Sequence, residues 1–506
     1  MDRALVDALA HDLATAGYAG EGVAARIGVD AADALGRMVA SPARRALGVD
    51  RDALATLVRL LWLGDRVPVE DAERALGTAH VAGAAALGIV ETAGDDVVPR
   101  IAVRPHAFRD ALGSGSWWIA SDLDELSGVH PLRPDHVLGV GGAARTLAAI
   151  LPPVRAGSAL DLGSGCGIVS LHLARIADRV VATDLSERAL AMTRLTCALN
   201  GVDHVETRAG DLWAPVDGER FDLIASNPPF VVTPRSDGVP TYEYRDGGRT
   251  GDALMQEVVE GLGAHLRPGG AARLLGNWES GSAGTGLDRV RSWVVASDVD
   301  GWVLERETLD VVRYAELWLR DGGTRPGDVD HAPMLTAWLD DFAERGVHGI
   351  GLGWVAVEAR SGVPAPRVRV EHVAQPIALE HAGAHLQASL DVQARLATLS
   401  DDALRATHLV TQPDVTEVRH LRPGATGPSV IELVQGGALG RTTSVDTAVA
   451  ALVGACDGEL SIGAILDAIA SLLDADAEAL SAGALPAVRE LWIQGVLVEA
   501  DEQPSR

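Results

Sequence analysis

Three alternate glycines in Asp161-Leu162-Gly163-Ser164-Gly165-Cys166-Gly167 separate an apolar run (Ala159, Leu160, Leu162) from a segment, Ile168 to Asp178, with the apolar spacing of a helix. A strand that breaks into glycine and restarts as a helix predicts a crossover of an α/β sheet. Glycine suits the break because the backbone must turn sharply and let a ligand approach where any Cβ would collide. The next apolar run, Val180-Val181-Ala182-Thr183, ends in Asp184, about 20 positions beyond the turn, where a carboxylate can grip a ribose. Up to this point a dinucleotide fold and a nicotinamide enzyme fit as well as any other nucleoside-binding sheet.

Two further segments break the tie. Gly210-Asp211-Leu212 follows a short strand, Val205 to Arg208. Phe221-Asp222-Leu223-Ile224-Ala225-Ser226 then reads as a fourth strand, apolar enough to be buried on both faces as parallel strands are. It delivers Asn227-Pro228-Pro229-Phe230 to the carboxyl end of the sheet, where ligands of open α/β sheets bind. Taken alone the tetrapeptide is a rigid loop, since proline fixes φ and removes a donor. It also holds two hydrogen-bond acceptors, the Asn227 side-chain oxygen and the Pro228 carbonyl, which can fix both N–H groups of a planar nitrogen. Phe230 can stack on a flat substrate.

In this order the four elements resemble class I S-adenosylmethionine (SAM) methyltransferases of the N-methylating branch. The resemblance implies SAM as cofactor, bound by Asp161, Gly163, Ser164, Gly165, Cys166, Gly167, Asp184, Leu185, Gly210, Asp211, Leu212 and Asn227. The Gly210 tripeptide would set an acidic side chain or a backbone amide against the adenine. Asn227, Pro228, Pro229 and Phe230 become the catalytic residues, aiming a poor nitrogen nucleophile at the methyl carbon by positioning. No general base is needed before attack, because the proton becomes acidic once nitrogen carries the methyl.

The segment Tyr242-Glu243-Tyr244-Arg245-Asp246-Gly247-Gly248-Arg249-Thr250-Gly251, followed by a helix from Asp252 to Leu266 and by Arg267-Pro268-Gly269-Gly270, is similar to its counterpart in release-factor glutamine methyltransferases. Related rRNA guanine and adenine N-methyltransferases share the plan. The likeness makes Tyr244, Gly247, Gly248 and Gly251 candidate walls of the substrate pocket; a surface loop is the plainer reading. Phe230 stands where tyrosine is frequent, which keeps stacking and removes a hydroxyl. Upstream, Pro134 to Arg145 sits where this superfamily closes a helix and turn over the methionine end of SAM, with His136 a candidate pocket residue. An ordinary helix start with Asp135 near its N-terminus would look the same. The resemblance covers residues 135 to 320.

At 506 residues the chain exceeds a single core, and about three domains are expected. The fold class is α/β: a Rossmann-like seven-stranded SAM methyltransferase domain over 131–325, preceded by a helical, winged-helix-like domain over 1–130. An α+β connecting region over 326–420 and a winged-helix-like C-terminal domain over 421–506 follow. In the first domain, amphipathic segments (Ala4 to Ala16, Glu21 to Ile27, Ala31 to Ala40, Arg51 to Leu63, Val69 to Leu76) precede two strands, Ala86 to Glu91 and Val97 to Val103. Trp117 and Trp118 belong to a core or mark a contact surface. In the connecting region Asp328 to Arg345 has helical period, and Ile350 to Val357 reads as a strand returning to a sheet. The last domain reads as strand Ser429 to Gln435, helices Thr447 to Cys456, Ser461 to Leu473 and Ala477 to Gln494, and strand Val496 to Ala500. This tail is weakly similar to winged modules that recognise precursor peptides.

All 43 basic residues are arginine, and the net charge is −27. Acids outnumber arginines 20 to 14 over residues 1–150, 25 to 18 over 151–325 and 25 to 11 over 326–506. A protein held to RNA by phosphate neutralisation needs a basic domain or stripe. No segment is net basic, so a protein or peptide partner is favoured, with RNA the alternative. Cys166, Cys197 and Cys456 are too scattered for a disulfide framework or a zinc site, and no metal is expected. No run of 18 apolar residues and no basic, then apolar, leader is found, so no membrane partner and a cytoplasmic location are expected. The leading acceptor is a protein glutamine or peptide amine, the alternative an rRNA base nitrogen. A reading of another class is a non-catalytic SAM-binding regulator with winged helices.

Overall fold

Strands β1 (Ala156–Leu162), β2 (Ala177–Asp184), β3 (Val205–Ala209), β4 (Phe221–Ser226), β5 (Leu266–Gly281), β6 (Asp300–Asp310), β7 (Val347–Glu358) and β8 (Val368–His372) form one sheet in the order β3-β2-β1-β4-β5-β7-β6-β8. The computed structural model describes residues 1–128, 133–235, 239, 242–282, 284–360, 365–437 and 439–500. The chain divides into two compact units, Met1–Ala148 with Val154–His372, and Ala149–Pro153 with Val373–Arg506. The sheet lies in the first.

Strands β1 to β5 run parallel, β7 is antiparallel to β5 and β6, and β8 runs parallel to β6. The first crossovers lead from β1 toward β2 and β3, and β4 then returns to the other side of β1. The order therefore reverses between β1 and β4, the place where open α/β sheets hold ligands beyond their carboxyl ends. Register makes the point concrete. Leu162 is level with Thr183 on one side and Ser226 on the other, so Gly163, Asp184 and Asn227 leave the sheet at one edge.

Parallel strands are covered on both faces, and the core is correspondingly apolar: Leu160, Leu162, Val181, Phe221, Ile224, Leu274, Trp278, Val303 and Val355 are all buried. Trp278 is fully buried, and its Nε1 donates to Glu305 Oε2 at 2.7 Å. Room for that pair comes from β7, where a Cβ on Gly351 would lie 2.1 Å from the Glu305 carboxylate and 2.3 Å from the indole nitrogen. The Ile350-Gly351-Leu352-Gly353 run is thus glycine-rich for packing reasons. Helices α1 (Ile168–Ala174), α2 (Glu187–Leu199), α3 (Ala253–Glu260) and α4 (Gly286–Ala296) cover the sheet. Helices α5 (Val311–Asp321) and α6 (His331–Glu344) build a second cluster in which Tyr314, Trp338 and Phe342 pack on Val231, Val232 and Ile350.

Three expectations need correction. The sheet has eight strands rather than seven, because β8 adds to the β6 edge, where Trp302 Nε1 bonds the Glu371 carboxylate at 2.5 Å. Nor does the sheet end near residue 325: β7 inserts between β5 and β6, so the first part of the expected connecting region completes it. Pro268-Gly269-Gly270 lies inside β5 rather than outside it, at the irregularity where pairing with β4 skips from Leu266 to Ala271.

The first 121 residues hold eight short helical segments from Arg3–Thr15 to His80–Ala86, and a three-stranded sheet ordered Val67–Pro68, Asp96–Pro99, Val90–Ala93. A hairpin absent from the sequence expectations follows, Ala102–Asp110 with Gly113–Ser121. Trp117 and Trp118, half-buried, sit on it and join it to α1 and to the end of α2. Trp117 stacks on Phe108 at 3.9 Å and meets the His172 ring edge-on at 4.8 Å. The Trp118 backbone exchanges hydrogen bonds with the Asn200 side chain at 3.0 and 2.8 Å. The expected boundary at 130/131 lies outside the described residues.

In the second unit, strand Leu409–Thr411 pairs with Leu497–Glu499, and Val415–His420, Val430–Gln435 and Thr442–Val445 form an antiparallel sheet. Helices Thr447–Ala455, Ile462–Leu473 and Ala477–Ile493 pack Leu452, Leu466, Leu491 and Trp492 into its own core. No helix among the described residues is long and apolar enough to cross a membrane.

Candidate active site

The glycine turn is held by its own backbone. Gly163 N and Ser164 N both donate to Thr183 O at 2.9 Å, and Gly167 N donates to Ser164 O at 2.8 Å. Gly163, Gly165 and Gly167 have φ of +83°, +54° and +81°, a region that side chains disfavour. Their surroundings differ. A Cβ on Gly167 would lie 3.0 Å from Thr193 Cα, so this glycine serves the packing of α1 on α2, whereas Cβ atoms on Gly163 and Gly165 would enter open space. Those two form the cradle. Ser164 Oγ meets Thr193 Oγ1 at 3.0 Å, and Thr193 Oγ1 donates to Gly165 O at 3.0 Å. Cys166 is buried and its thiol is pushed up to about 11 by burial, so it fills space as a neutral thiol.

Asp184 closes the cradle: one carboxylate oxygen accepts from Gly165 N and the other from Ser186 N, each at 2.9 Å. Each oxygen keeps a free lone pair for a hydroxyl. Leu185 is 64% exposed beside it, an apolar surface awaiting a flat partner. Gly210 N donates to Asp184 O at 3.0 Å, which brings Gly210-Asp211-Leu212 to the same edge. The Asp211 carboxylate is engaged by Arg249 at 2.8 Å, and Arg249 also holds Glu257 at 3.1 Å. Of the two options the sequence left open, a backbone amide fits better than this acid. Asp161, 1% exposed, accepts from Ser170 Oγ at 2.6 Å, and burial raises its carboxyl to about 7. Burial raises Asp184 as well.

Across the switch point, Ser226 Oγ donates to Leu162 O at 2.7 Å and fixes the end of β4. Among the described residues Asn227 Oδ1 is buried with no hydrogen-bond partner, and Thr183 Oγ1, at the end of β2 on the other side of β1, shares that condition. An unsatisfied buried acceptor costs about 1–3 kcal/mol, which folded chains tolerate where a ligand makes the missing bond. Pro228 O accepts Phe230 N at 2.7 Å, leaving one lone pair for a ligand. Phe230, half-buried, packs one side on the Tyr314, Trp338 and Phe342 cluster.

The structure brings the expected wall residues to this loop. Phe230 bridges Asp246, and Val231 N donates to Arg245 O at 2.8 Å. A Cβ on Gly247 would lie 2.8 Å from Pro229 O and 2.2 Å from the Leu254 side chain, so glycine is required for the two segments to touch. Gly248 (φ +71°) faces open space, whereas Gly251 packs against the Glu279–Arg345 pair and lines no opening. The Tyr244 ring lies 6.1 Å from that of His136, and its hydroxyl reaches the Asp321 carboxylate at 3.4 Å. His136 is 4% exposed, and burial lowers its pKa, so the imidazole is neutral near pH 7. Sequence reasoning missed Tyr314 and Asn277. The Tyr314 hydroxyl lies 3.0 Å from Val232 N and 2.8 Å from Asn277 Nδ2, bracing the chain just past Phe230. No local signal marks either residue, since both come from distant elements.

The cradle gives a test of its own. Gly165→Ala should cost about 1–2 kcal/mol of stability from its positive φ, while its methyl intrudes on the open side. Ligand affinity should therefore fall further than the melting temperature suggests, a comparison that thermal unfolding and calorimetric titration make directly. Equal loss in Gly167→Ala, whose methyl meets protein instead, would contradict the division of roles.

A reversing parallel sheet with this glycine turn, the strand-end Asp184 and this Asn-Pro-Pro-Phe loop gives the central part the architecture of a Rossmann-like SAM-dependent methyltransferase domain. Residues 139–290 match the family model described as "Methyltransferase small domain". Residues 15–100 and 388–499 match two models, each described as a domain of unknown function. The chain is 38% identical over 132 residues to a release factor glutamine methyltransferase of Xylella fastidiosa, covering 24% of this chain and 48% of that protein. It is 32% identical over 169 residues to ribosomal RNA small subunit methyltransferase C of Salmonella newport, covering 32% and 43%. The chain thus spans about half the length of the curated relatives it matches. Among solved structures, a 16S rRNA methyltransferase of T. thermophilus in complex with AdoMet and guanosine aligns over 51% of this chain and 64% of that one, at 21% identity and a TM-score of 0.27.

Proposed function

We propose that the chain is a cytoplasmic SAM-dependent N-methyltransferase whose acceptor is a planar amide or amino nitrogen of a protein or peptide. The observation that carries this reading is the buried, unpartnered Asn227 Oδ1 at the switch point. SAM supplies a methyl group on a sulfonium. Gly163 and Gly165 leave room for it, Asp184 offers two carboxylate lone pairs to its ribose, and Leu185 offers an apolar face to its base. Asn227 Oδ1 accepts one N–H of the acceptor and Pro228 O the other, which turns the nitrogen lone pair toward the methyl carbon. Phe230 covers the flat group. The nitrogen loses its proton only after the new bond has formed, so a neutral His136 need not act as base.

Electrostatics favour protein over RNA. Four arginines of the segments that carry the site are paired with carboxylates: Arg133 to Asp135 at 2.9 Å, Arg188 to Asp122, Arg245 to Asp246 at 3.2 Å and Arg249 to Asp211 at 2.8 Å. A phosphate would have to break these pairs. The named relatives include one protein and one rRNA methyltransferase, so the rRNA base nitrogen is the second reading. We read the flanking regions as modules that select the acceptor.

Titration with SAM and S-adenosylhomocysteine followed by tritiated methyl transfer into a lysate tests both levels. The expected label survives ribonuclease and is lost to protease. Label lost to ribonuclease would move the proposal to rRNA, and absence of binding by either cofactor form would favour a non-catalytic regulator.

A further inference from the structure

Residues 133–137 form a strap between Asp122 and the Glu243–Tyr244 segment, and its fastening involves a pair that no motif contains. Asp122 lies at the end of the hairpin strand Gly113–Ser121, and its side chain is 6% exposed. Its backbone N donates to Val137 O at 3.0 Å while its carboxylate accepts from Val137 N at 2.9 Å, so the two residues clasp each other. The His136 imidazole Nδ1 is 3.9 Å from the same carboxylate. Arg188 binds Asp122 in fork fashion, Nε at 2.9 Å to one oxygen and Nη2 to the other. Arg188 stands in the first turn of α2, the helix capped by Ser186, whose backbone N is held by Asp184. At its other end the strap meets the acceptor wall: Pro134 O accepts Glu243 N at 2.9 Å, and the His136 ring faces Tyr244. Glu243 in turn lies near enough to Asp184 for its charge to help raise that carboxyl.

A chain of contacts therefore runs from Asp184 through α2 and Arg188 to Asp122 and along the strap to Glu243, whose charge in turn acts on Asp184. We propose that Asp122 and Arg188 are positioning residues that fasten the 133–137 strap over the cofactor site, so that occupation of the site and order in the His136–Tyr244 wall rise and fall together. The proposal rests on the cofactor site described above. Geometry sets the demands on the pair: a planar fork matches a carboxylate that must also keep a lone pair for Val137 N, which a lysine ammonium does less well. Arg188 is 30% exposed and can rehydrate when Asp122 is neutralised, so Asp122→Asn leaves no buried lone charge and the fold is expected to persist.

The test uses the full chain and SAM itself. Asp122→Asn should weaken SAM binding about tenfold, the value of one charge-assisted hydrogen bond, with a melting temperature within a few degrees of wild type. Arg188→Gln should weaken it similarly, and Arg188→Lys should recover part of the loss. Hydrogen exchange of wild-type amides 133–137 should slow on adding S-adenosylhomocysteine, which needs no variant to fold. A merely structural pair would lower the melting temperature in both variants, leave SAM affinity within about twofold, and leave exchange in the strap indifferent to cofactor; that outcome overturns the proposal while the cofactor site stands. Failure of the wild type to bind either cofactor form removes the site and the proposal with it.

Discussion

Asn227→Ala is expected to leave SAM affinity within several-fold of wild type while methyl transfer falls by about a hundred- to a thousandfold, the usual consequence of removing one preorganised polar group from a reacting centre. The expectation follows from the state of its oxygen. Asn227 Oδ1 is buried and makes no hydrogen bond among the described residues, so its removal breaks no bond described in the resting fold and even relieves an unsatisfied acceptor. Thermal unfolding should accordingly show little loss or a small gain. The neighbouring Pro228 carbonyl would still accept one N–H, leaving the acceptor free to rotate about that bond and its lone pair unaimed. Asn227→Asp is the sharper comparison. It keeps an acceptor, but adds a charge beside Asp161 and Asp184, whose carboxyls burial already raises, and turnover should remain far below wild type. The readout is tritium transferred into protease-sensitive lysate material, with SAM titration run in parallel. Equal loss of binding and transfer in Asn227→Ala would place this residue in cofactor binding and remove the basis for an aimed nitrogen.

The site was legible because its parts are local. A strand running into Gly163, a second ending at Asp184 and a third ending at Asn227 each announce themselves within a dozen residues, and the parallel sheet then brings their ends to one edge without further instruction. Strand β4 and the Asn-Pro-Pro-Phe loop appear where the apolar run and the prolines put them. What stayed hidden depends on contacts between distant segments. Strand β7 enters the sheet between β5 and β6, and its neighbours are chosen by Trp278 fitting over Gly351 and Gly353, a relation no window of sequence contains. The Phe108–Trp117 hairpin looked like a tryptophan pair in search of a core, because its strand Gly113–Ser121 carries glycines and serines that mimic a loop. Asp211 shows the same limit from the other side. Its position in sequence suited a base contact, but Arg249, from the wall segment, claims its side chain. Arg188, Asp122, Tyr314 and Asn277 were silent for the same reason: each acts through a partner many residues away.

The protein without cofactor is expected to lose stability as pH rises from about 5 to 8, against the trend for ordinary surface carboxylates. Asp161 is fully buried with one hydroxyl donor, and its carboxyl titrates at about 7 in the folded chain against 3.8 in the unfolded one. Between those values the folded state holds a proton that the unfolded state has released. Stability from this group is therefore fully present below about pH 4, declines as pH rises, and is lost once pH passes the folded value near 7. A shift of about three units corresponds to about 4 kcal/mol across the window. Asp184, raised in the same direction by burial, adds to the slope, with the Gly165 and Ser186 N–H bonds opposing it. Asp161→Asn should flatten the profile, because an amide there has nothing to ionise yet can still accept from Ser170. Cofactor should respond with the opposite sign. Ionised carboxylates at the cradle favour a cation, and SAM carries a sulfonium charge that S-adenosylhomocysteine lacks. Its affinity relative to the product should therefore rise as pH passes through about 7. Urea unfolding midpoints and paired titrations across this range make the comparison. Parallel pH profiles for wild type and Asp161→Asn would show that folding does not shift the titration of Asp161, and the rise of SAM affinity relative to the product near pH 7 would then have no source at this position.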